Sequence, residues 1–422
     1  MEKHQFIQQL QTIVGEEDVL FHPEDLLVYE YDGSIDRSIP RAVVFPASTQ
    51  EVSQVVTLAY RQGVPVVGRG SGTGLSGGAI APEGGIQIAF TKMNHILGVD
   101  TENRTATIEP GVINLDLDTH VRKFGMRYAP DPSSQRACSL GGNIAENAGG
   151  PHCLAYGTTT NHVLALEVVL EDGSIVHPGG VAREVPGYDL RGVFVGSEGT
   201  FGIATKITVR LLPLPEVVKT FLGIFPDLDS ACTAVSAVIG HGIVPAALEM
   251  IDALSIKAVQ SVTDAGYPAD AGAVLLVELE GLKEEVEDVT YEVESALWDT
   301  GATEVRVAED PGDRDKLWVG RKTAFGAFGT IAPNYYLVDG VVPRTRLTQV
   351  LRKVSEISQK YGITIANVFH AGDGNLHPCM LFNEREPGVL DRAMKAAAEI
   401  MEYCVAVGGT LSGEHGIGLE KK

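Results

Sequence analysis

VPVVGRGSGTGLSGGA (64–79) is the stretch on which the fold turns. A short apolar strand, VPVV, delivers the chain into twelve residues (68–79) that include six glycines. Glycine lets the backbone approach a ligand closely and aim successive N–H groups inward as an anion-binding nest. The segment is not a P-loop, because no Lys-Ser/Thr pair follows. It is not the dinucleotide fingerprint of a Rossmann unit either, since IQIAF (86–90) follows it rather than a long helix. A merely flexible surface turn would have no need of the buried strand ending in Val66-Val67.

Working outward, AVVFPAS (42–48) reads as a strand, and Ser48 with Glu51 reads as a capping box. Val52, Val55, Val56, Ala59 and Tyr60 recur at helical spacing, and Gly63 stops the helix. Further strands are expected at IQIAF, RTATIEPG (104–111) and LALEVVLEDGSIVHPGG (164–180), the last folded at Asp172-Gly173. The run LPLPE (212–216) marks a boundary. Beyond it, helices over 227–240, 282–298 and 388–407 alternate with strands such as AVLLVELEG, giving an α+β layer.

Two more glycine-rich segments lie before that boundary: PDPSSQRACSLGGNIAENAGGPHCLAYGTT (130–159) and GSEGTFGIAT (196–205). Three such loops in one half of a chain point to a large phosphate-bearing cofactor. In this order and spacing they resemble the FAD-binding domain of the vanillyl-alcohol oxidase type of flavoproteins. Within that family the chain is similar to the group of glycolate oxidase D subunits and D-lactate and D-2-hydroxyglutarate dehydrogenases, over essentially its whole length. The resemblance implies an α+β protein: a two-part FAD-binding domain over 1–215 and an α+β, ferredoxin-like substrate cap over 216–422. It implies that Gly70, Ser71, Gly72, Thr73 and Gly74 hold the pyrophosphate. Pro130, Asp131, Ser133, Gly142, Asn143 and Gly149 would line the flavin, and Glu198, Gly199 and Ile203 would meet the far end of the dinucleotide. Some relatives attach the flavin through a histidine in an R-S-G-G-H pattern. Here the loop reads Arg69-Gly70-Ser71-Gly72-Thr73, so non-covalent FAD is expected.

The second half carries HAGDGNLH (370–377) and SGEHGIG (412–418). His370 ends one apolar strand and His377 opens the next. With Glu414 they make a two-imidazole, one-carboxylate set suited to a divalent ion such as Zn²⁺. Glu414 and His415 are neighbours, and an extended backbone would send them to opposite faces, one as ligand and one as base. An unperturbed imidazole pKa of about 6.5 suits removal of a hydroxyl proton near neutrality. In the hydroxy-acid dehydrogenases that this chain resembles, the positions matching His370, His377 and Glu414 bind metal and that matching His415 is the base. Asp373 and Asn375 fall between the histidines and fit the turn or the support of the ligands. Arg321, in LWVGRKTAF (317–325), fits the cation that such enzymes place on the substrate carboxylate.

The implied reaction is oxidation of a D-2-hydroxy acid, with reduced FAD reoxidised by an iron–sulfur subunit, an electron-transfer flavoprotein or a quinone. Five scattered cysteines without C-x-x-C spacing suit a reducing cytoplasm and show no cluster motif within this chain. Leu337 stands where diacid-specific relatives carry a lysine, and Pro378-Cys379 where they have Leu-Asn. Both favour glycolate or D-lactate over 2-hydroxyglutarate. The relatives also continue beyond GEHGIG, so the return to the flavin domain is expected to be truncated at Lys422.

Composition narrows the alternatives. A net charge of −22 argues against nucleic acid. No apolar run reaches the roughly 20 residues of a membrane span, and MEKHQFIQQL has no signal-peptide pattern. A cytoplasmic protein, peripheral to a membrane only through a partner, and a homodimer or hetero-oligomer are compatible with this. Two other readings stay open on sequence. A metallohydrolase would use His370, His377 and Glu414 but leaves the glycine loops idle. A non-catalytic FAD-binding subunit would have no use for His415.

Overall fold

A computed structural model describes residues 3–182 and 186–422. The chain divides into two compact units. The first comprises Met1–Gly150, Gly157–Leu214 and Glu414–Lys422, and the second Pro151–Tyr156 and Pro215–Gly413. The break at Leu214/Pro215 falls within LPLPE. Two short pieces, Pro151–Tyr156 and Glu414–Lys422, are not set apart from their surroundings by any pattern in the sequence.

In the first unit a four-stranded sheet runs in the order Val19–Leu20, Ala42–Val44, Ile86–Ala89, Val66–Arg69, and the last three are mutually parallel. Helix Thr49–Gln62 makes the crossover. Ser48 accepts the Glu51 amide at its start, and Gly63 ends it at φ +62°. The capping differs from the expected box in one respect: the Glu51 carboxylate accepts from the Ala47 amide (2.7 Å), one residue further back. A five-stranded antiparallel sheet completes the unit, in the order Ile96–Asp100, Thr105–Ile108, Ile203–Arg210, Val163–Val169, Ile175–Val176. The helix packs against both sheets. Thr49 donates to Glu167 (2.5 Å), and Ser53 to the Gly173 carbonyl in the Asp172-Gly173 hairpin (2.5 Å).

Segment 130–159 is less irregular than its glycines suggest. Ser139 caps a helix, Leu140–Glu146, and Cys153–Tyr156 forms another turn. Glycine disfavours helix by about 1 kcal/mol, and the reason it stands here is steric. A Cβ on Gly141 would sit 2.6 Å from the Pro110 side chain. Strand Ile96–Asp100 and helices Asn114–Arg122 and Ala253–Val262 were also not read from the sequence.

The second unit is built on one antiparallel sheet. Its path runs Glu304–Val307, Val217–Phe225, Ala273–Gly281, Ala247–Asp252, Thr364–His370, Asn375–Leu376, Gly340–Val341. Leu248, Met250, Leu275, Val277, Leu279 and Phe369 enter the main core, with helices Leu228–Gly240, Leu347–Tyr361 and Val389–Ala406. Side chains alternate along a strand, so Glu249, Glu278 and His370 fall on the opposite face. That face meets helix Pro311–Ala327, whose Arg314, Trp318 and Arg321 are spaced to share one side.

Glu278 is wholly buried. It accepts from Thr220 (2.6 Å), Trp318 Nε1 (2.6 Å), Arg314 Nε and Nη2 (2.8 Å each) and His152 (3.2 Å). His152 stacks on Trp318, with ring centroids 5.8 Å apart. Tyr156 donates to Glu280 (3.0 Å), which fixes the far end of Pro151–Tyr156 on the same sheet. Burial alone would raise the Glu278 carboxyl, but its His152 and Arg314 partners hold it far below the ordinary value. Replacing this carboxylate leaves the Arg314 guanidinium and the indole N–H without their acceptor. Glu278→Ala should therefore destabilise the second unit by about 3–5 kcal/mol, read as a lowered midpoint in denaturant unfolding.

Candidate active site

In the first unit the three glycine segments converge. The loop after strand Val66–Arg69 leaves the C-terminal edge of a parallel sheet, the usual ligand position in open α/β layers. A Cβ on Gly70 would lie 2.1 Å from Ser139 Oγ, and Gly72 sits at φ +69°, where a Cβ would meet Arg69 Nη2 at 2.5 Å. Among the described residues no backbone or side-chain acceptor takes the amides of Ser71, Gly72, Thr73 or Gly74, and Gly74 faces open space. The third segment docks on the second: Gly196 donates to the Ile144 carbonyl and Glu198 to that of Ala145 (2.8 Å each).

Asn143 and Pro130 come together through a residue that the sequence did not single out. The Asn114 amide donates to the Pro130 carbonyl and to Asn143 Oδ1 (3.0 Å each). Asn114 Oδ1 is buried without a partner among the described residues, as is Arg69 Nη1. Gly142 donates to Ser139, Gly149 is buried, Asp131 is half-buried and Ser133 is exposed. Gly199 is exposed at φ +72°, and Ile203 opens the strand Ile203–Arg210. Unpartnered amides, orphaned buried polar atoms and glycines without room for a side chain fit a dinucleotide. Glu198 departs from the expectation in one respect: its carboxylate accepts from the amides of Ile417 and Gly418 (2.6 Å each).

In the second unit His370 and Glu249 are cross-strand partners. His370 Nδ1 lies 2.8 and 2.9 Å from the two Glu249 oxygens. A carboxylate only accepts, so Nδ1 carries the proton in this bond. The same carboxylate accepts from Arg321 Nε (2.7 Å). Glu249 is fully buried; burial alone would raise its carboxyl, but His370 and Arg321 hold it below the ordinary value. Arg321 is 2% exposed, and its Nη2 has no partner among the described residues.

The His377 ring stands 5.1 Å from that of His370 at 86°, and its Nδ1 is 3.9 Å from Asp339 Oδ1. Asp339 Oδ2 takes the Ser412 hydroxyl (2.8 Å) and the Gly413 amide (2.9 Å). Gly374, at φ +73°, forms the turn between the histidines, where a Cβ would lie 2.0 Å from the Val342 carbonyl. Asp373 closes that turn with its amide on the His370 carbonyl (3.2 Å). Glu414 and His415 begin the segment that belongs to the first unit. Leu337 and Cys379 are register partners, both buried, so the two departures from the diacid pattern occupy one place in the sheet.

Residues 40–179 match a family described as an FAD binding domain, and residues 214–422 match the C-terminal domain of FAD linked oxidases. The glycolate oxidase subunit GlcD of Escherichia coli (strain K12) is 46% identical over 405 residues, covering 96% of this chain and 81% of the relative. This chain belongs to the FAD-linked oxidases.

A D-lactate dehydrogenase of Anaerostipes hadrus is 33% identical, over 99% of this chain and 89% of the relative. The solved structure of p-cresol methylhydroxylase superposes with a TM-score of 0.83 at 19% identity, covering 99% of this chain and 89% of that one. The fold of this FAD-linked oxidase is thus the two-part, mixed α and β flavoprotein fold expected from the glycine loops. It is an FAD-linked oxidoreductase. No helix among its described residues is long and apolar enough to cross a membrane.

Glu249 and Asp339, the buried acids beside the candidate histidines, and Glu278 on the same sheet are not singled out by the sequence reading. A signal was present: an acid inside an apolar strand, as in AALEMID and AVLLVELEG, is rare unless paired.

In the first unit Glu146 is buried against Gly78 and Gly416, and burial, with Glu198 and Asp32 nearby, pushes its carboxyl up to about 8. The proton is kept on folding but lost from the unfolded chain above its ordinary value of 4.5. Stability is therefore drained progressively between pH 4.5 and about 8. Glu146→Gln should raise the melting temperature at pH 8 and change it little at pH 4.5, as scanning calorimetry at the two pH values would show.

Proposed function

We propose that this FAD-linked oxidase converts a small D-2-hydroxy acid, glycolate or D-lactate, to the 2-oxo acid. The observation that carries this reading is the Glu249 carboxylate holding a buried guanidinium beside a metal-competent imidazole. A buried cation with an unsatisfied Nη2 calls for an anion, and a substrate carboxylate meets that need in bidentate form. Arg321 would bind the carboxylate, and Glu249 fixes both its plane and the His370 tautomer.

His370, His377 and Glu414 would hold a divalent ion, Zn²⁺ by donor set, which would polarise the substrate hydroxyl. His415 would take the hydroxyl proton while the α-hydrogen leaves the same carbon with its electron pair. Bound FAD would supply the acceptor for that hydride, held non-covalently because Thr73 stands where a linking histidine would. Its pyrophosphate would lie on Gly70–Gly74, and Pro130, Asp131, Ser133, Gly142, Asn143 and Gly149 would line the flavin. Gly199 and Ile203 would meet the far end.

The buried Leu337–Cys379 pair offers no cation for a second carboxylate, which favours the monoacids. The name of the Escherichia coli relative describes a subunit. Together with the scattered cysteines this supports a hetero-oligomer in which electrons pass to a partner, an iron–sulfur subunit, an electron-transfer flavoprotein or a quinone.

Anaerobic mixing of the FAD- and Zn²⁺-loaded protein with glycolate or D-lactate should bleach the flavin, and L-lactate and D-2-hydroxyglutarate should do so poorly. If no hydroxy acid bleaches it, the reading fails. His415→Ala should slow reduction by about 10²–10⁴-fold with FAD retained. Arg321→Lys exchanges a fork for a point charge and should weaken substrate binding about 10–100-fold, the equivalent of one charge-assisted hydrogen bond. Chelation before mixing should suppress bleaching, and acid precipitation should leave the flavin in the supernatant.

A further inference from the structure

We infer that Glu198 is a positioning residue that, together with Ser76, fixes the backbone on which His415 is carried. This rests on the reading of His415 as the base. Both side chains act on the main chain of residues 415–419, all within the first unit. Ser76 is fully buried; its hydroxyl donates to the His415 carbonyl (2.7 Å), and its own carbonyl accepts from the Leu419 amide (2.7 Å). Glu198 takes two amides between them, one per carboxylate oxygen: Ile417 on Oε1 and Gly418 on Oε2, each at 2.6 Å.

The clamp explains both glycines that follow the histidine. A Cβ on Gly416, at φ +86°, would lie 2.1 Å from Glu146 Oε2 and 3.0 Å from Glu198 Oε1. One on Gly418, at φ +53°, would lie 2.0 Å from the Ser76 carbonyl. Glu198 is itself in the left-handed region, at φ +54°, with its amide bonded to Ala145. A non-glycine residue keeps that conformation only where its surroundings enforce it. Each carboxylate oxygen thus carries a charge-assisted bond to an amide, and Glu198 spends its charge on the His415 loop rather than on the dinucleotide.

The test uses the FAD- and metal-loaded full chain with Glu198→Ala and Glu198→Gln. Amide hydrogen exchange over 416–419, flavin content, and the rate and pH profile of anaerobic flavin reduction are measured for each. In Glu198→Ala, exchange over 416–419 should quicken at least tenfold. The limiting reduction rate should fall about 10–100-fold, as for a displaced base, and the limb of the pH profile belonging to His415 should move. FAD content and the concentration of hydroxy acid giving half-maximal rate should stay within twofold of the parent. Glu198→Gln keeps one acceptor oxygen and the side-chain shape, so it should fall between parent and alanine variant. It also serves if the alanine variant does not fold.

Loss of FAD with an unchanged rate in the flavin-loaded fraction would make Glu198 a cofactor contact and overturn the inference. So would full FAD content with unchanged exchange, rate and pH profile. Failure of the hydroxy-acid reading itself shows separately, as a parent protein that no hydroxy acid reduces or a His415→Ala variant that reacts at the parent rate. In either case the base that Glu198 is said to position is absent and the inference falls with it, even if exchange over 416–419 quickens.

Discussion

Glu249 is the buried charge on which the polar face of the second unit's sheet is arranged. Its carboxylate has no solvent, so it is tenable only because an imidazole and a guanidinium converge on it, and they in turn are oriented by it. A buried ion pair of this kind is a poor source of net stability. Its value lies in geometry: it fixes the His370 ring through Nδ1 and the Arg321 guanidinium through Nε, leaving Arg321 Nη2 without a partner among the described residues. The sheet register sets Glu249 directly across from His370. Alternation then sends Leu248 and Met250 into the apolar core while the acid faces helix Pro311–Ala327. One strand thus serves the core with one face and the chemistry with the other.

Much of the fold is legible in the sequence, and the parts that are not share a cause. The glycine loops, the paired histidines and Arg321 announce themselves because their residue types are costly elsewhere. The partners that hold them did not. Glu249, Glu278 and Asp339 are single acids in apolar strands, and only a fold says what stands across the sheet. Helix Leu140–Glu146 was hidden by Gly141 and Gly142, which are there to let it approach Pro110. Glu198 was read for the dinucleotide because it sits in a glycine loop, and contacts more than two hundred residues away along the sequence cannot be inferred from spacing.

Each unit holds a short segment with one carboxylate. Glu278 gathers a helix face and the short segment Pro151–Tyr156, and Glu198 gathers the loop after His415. In each case more than one N–H donor meets one acid in charge-assisted bonds, and at Glu278 full burial strengthens them further. Glu146 is the exception: burial, with Glu198 and Asp32 nearby, outweighs the opposing charge of Lys421 and pushes its carboxyl up.

The chain passes between its two units four times, at Gly150/Pro151, Tyr156/Gly157, Leu214/Pro215 and Gly413/Glu414. On the ribosome this has a consequence. The first unit is incomplete when Leu214 emerges, because Glu414–Lys422 is still to be made. At about 5–20 residues per second, the intervening stretch takes roughly 10–40 s to synthesise. Through that interval the nascent first unit lacks the backbone that Ser76 and Glu198 clamp, and His152 waits for a sheet that does not yet exist. Nascent-chain protection would matter more for this topology than for two domains strung end to end.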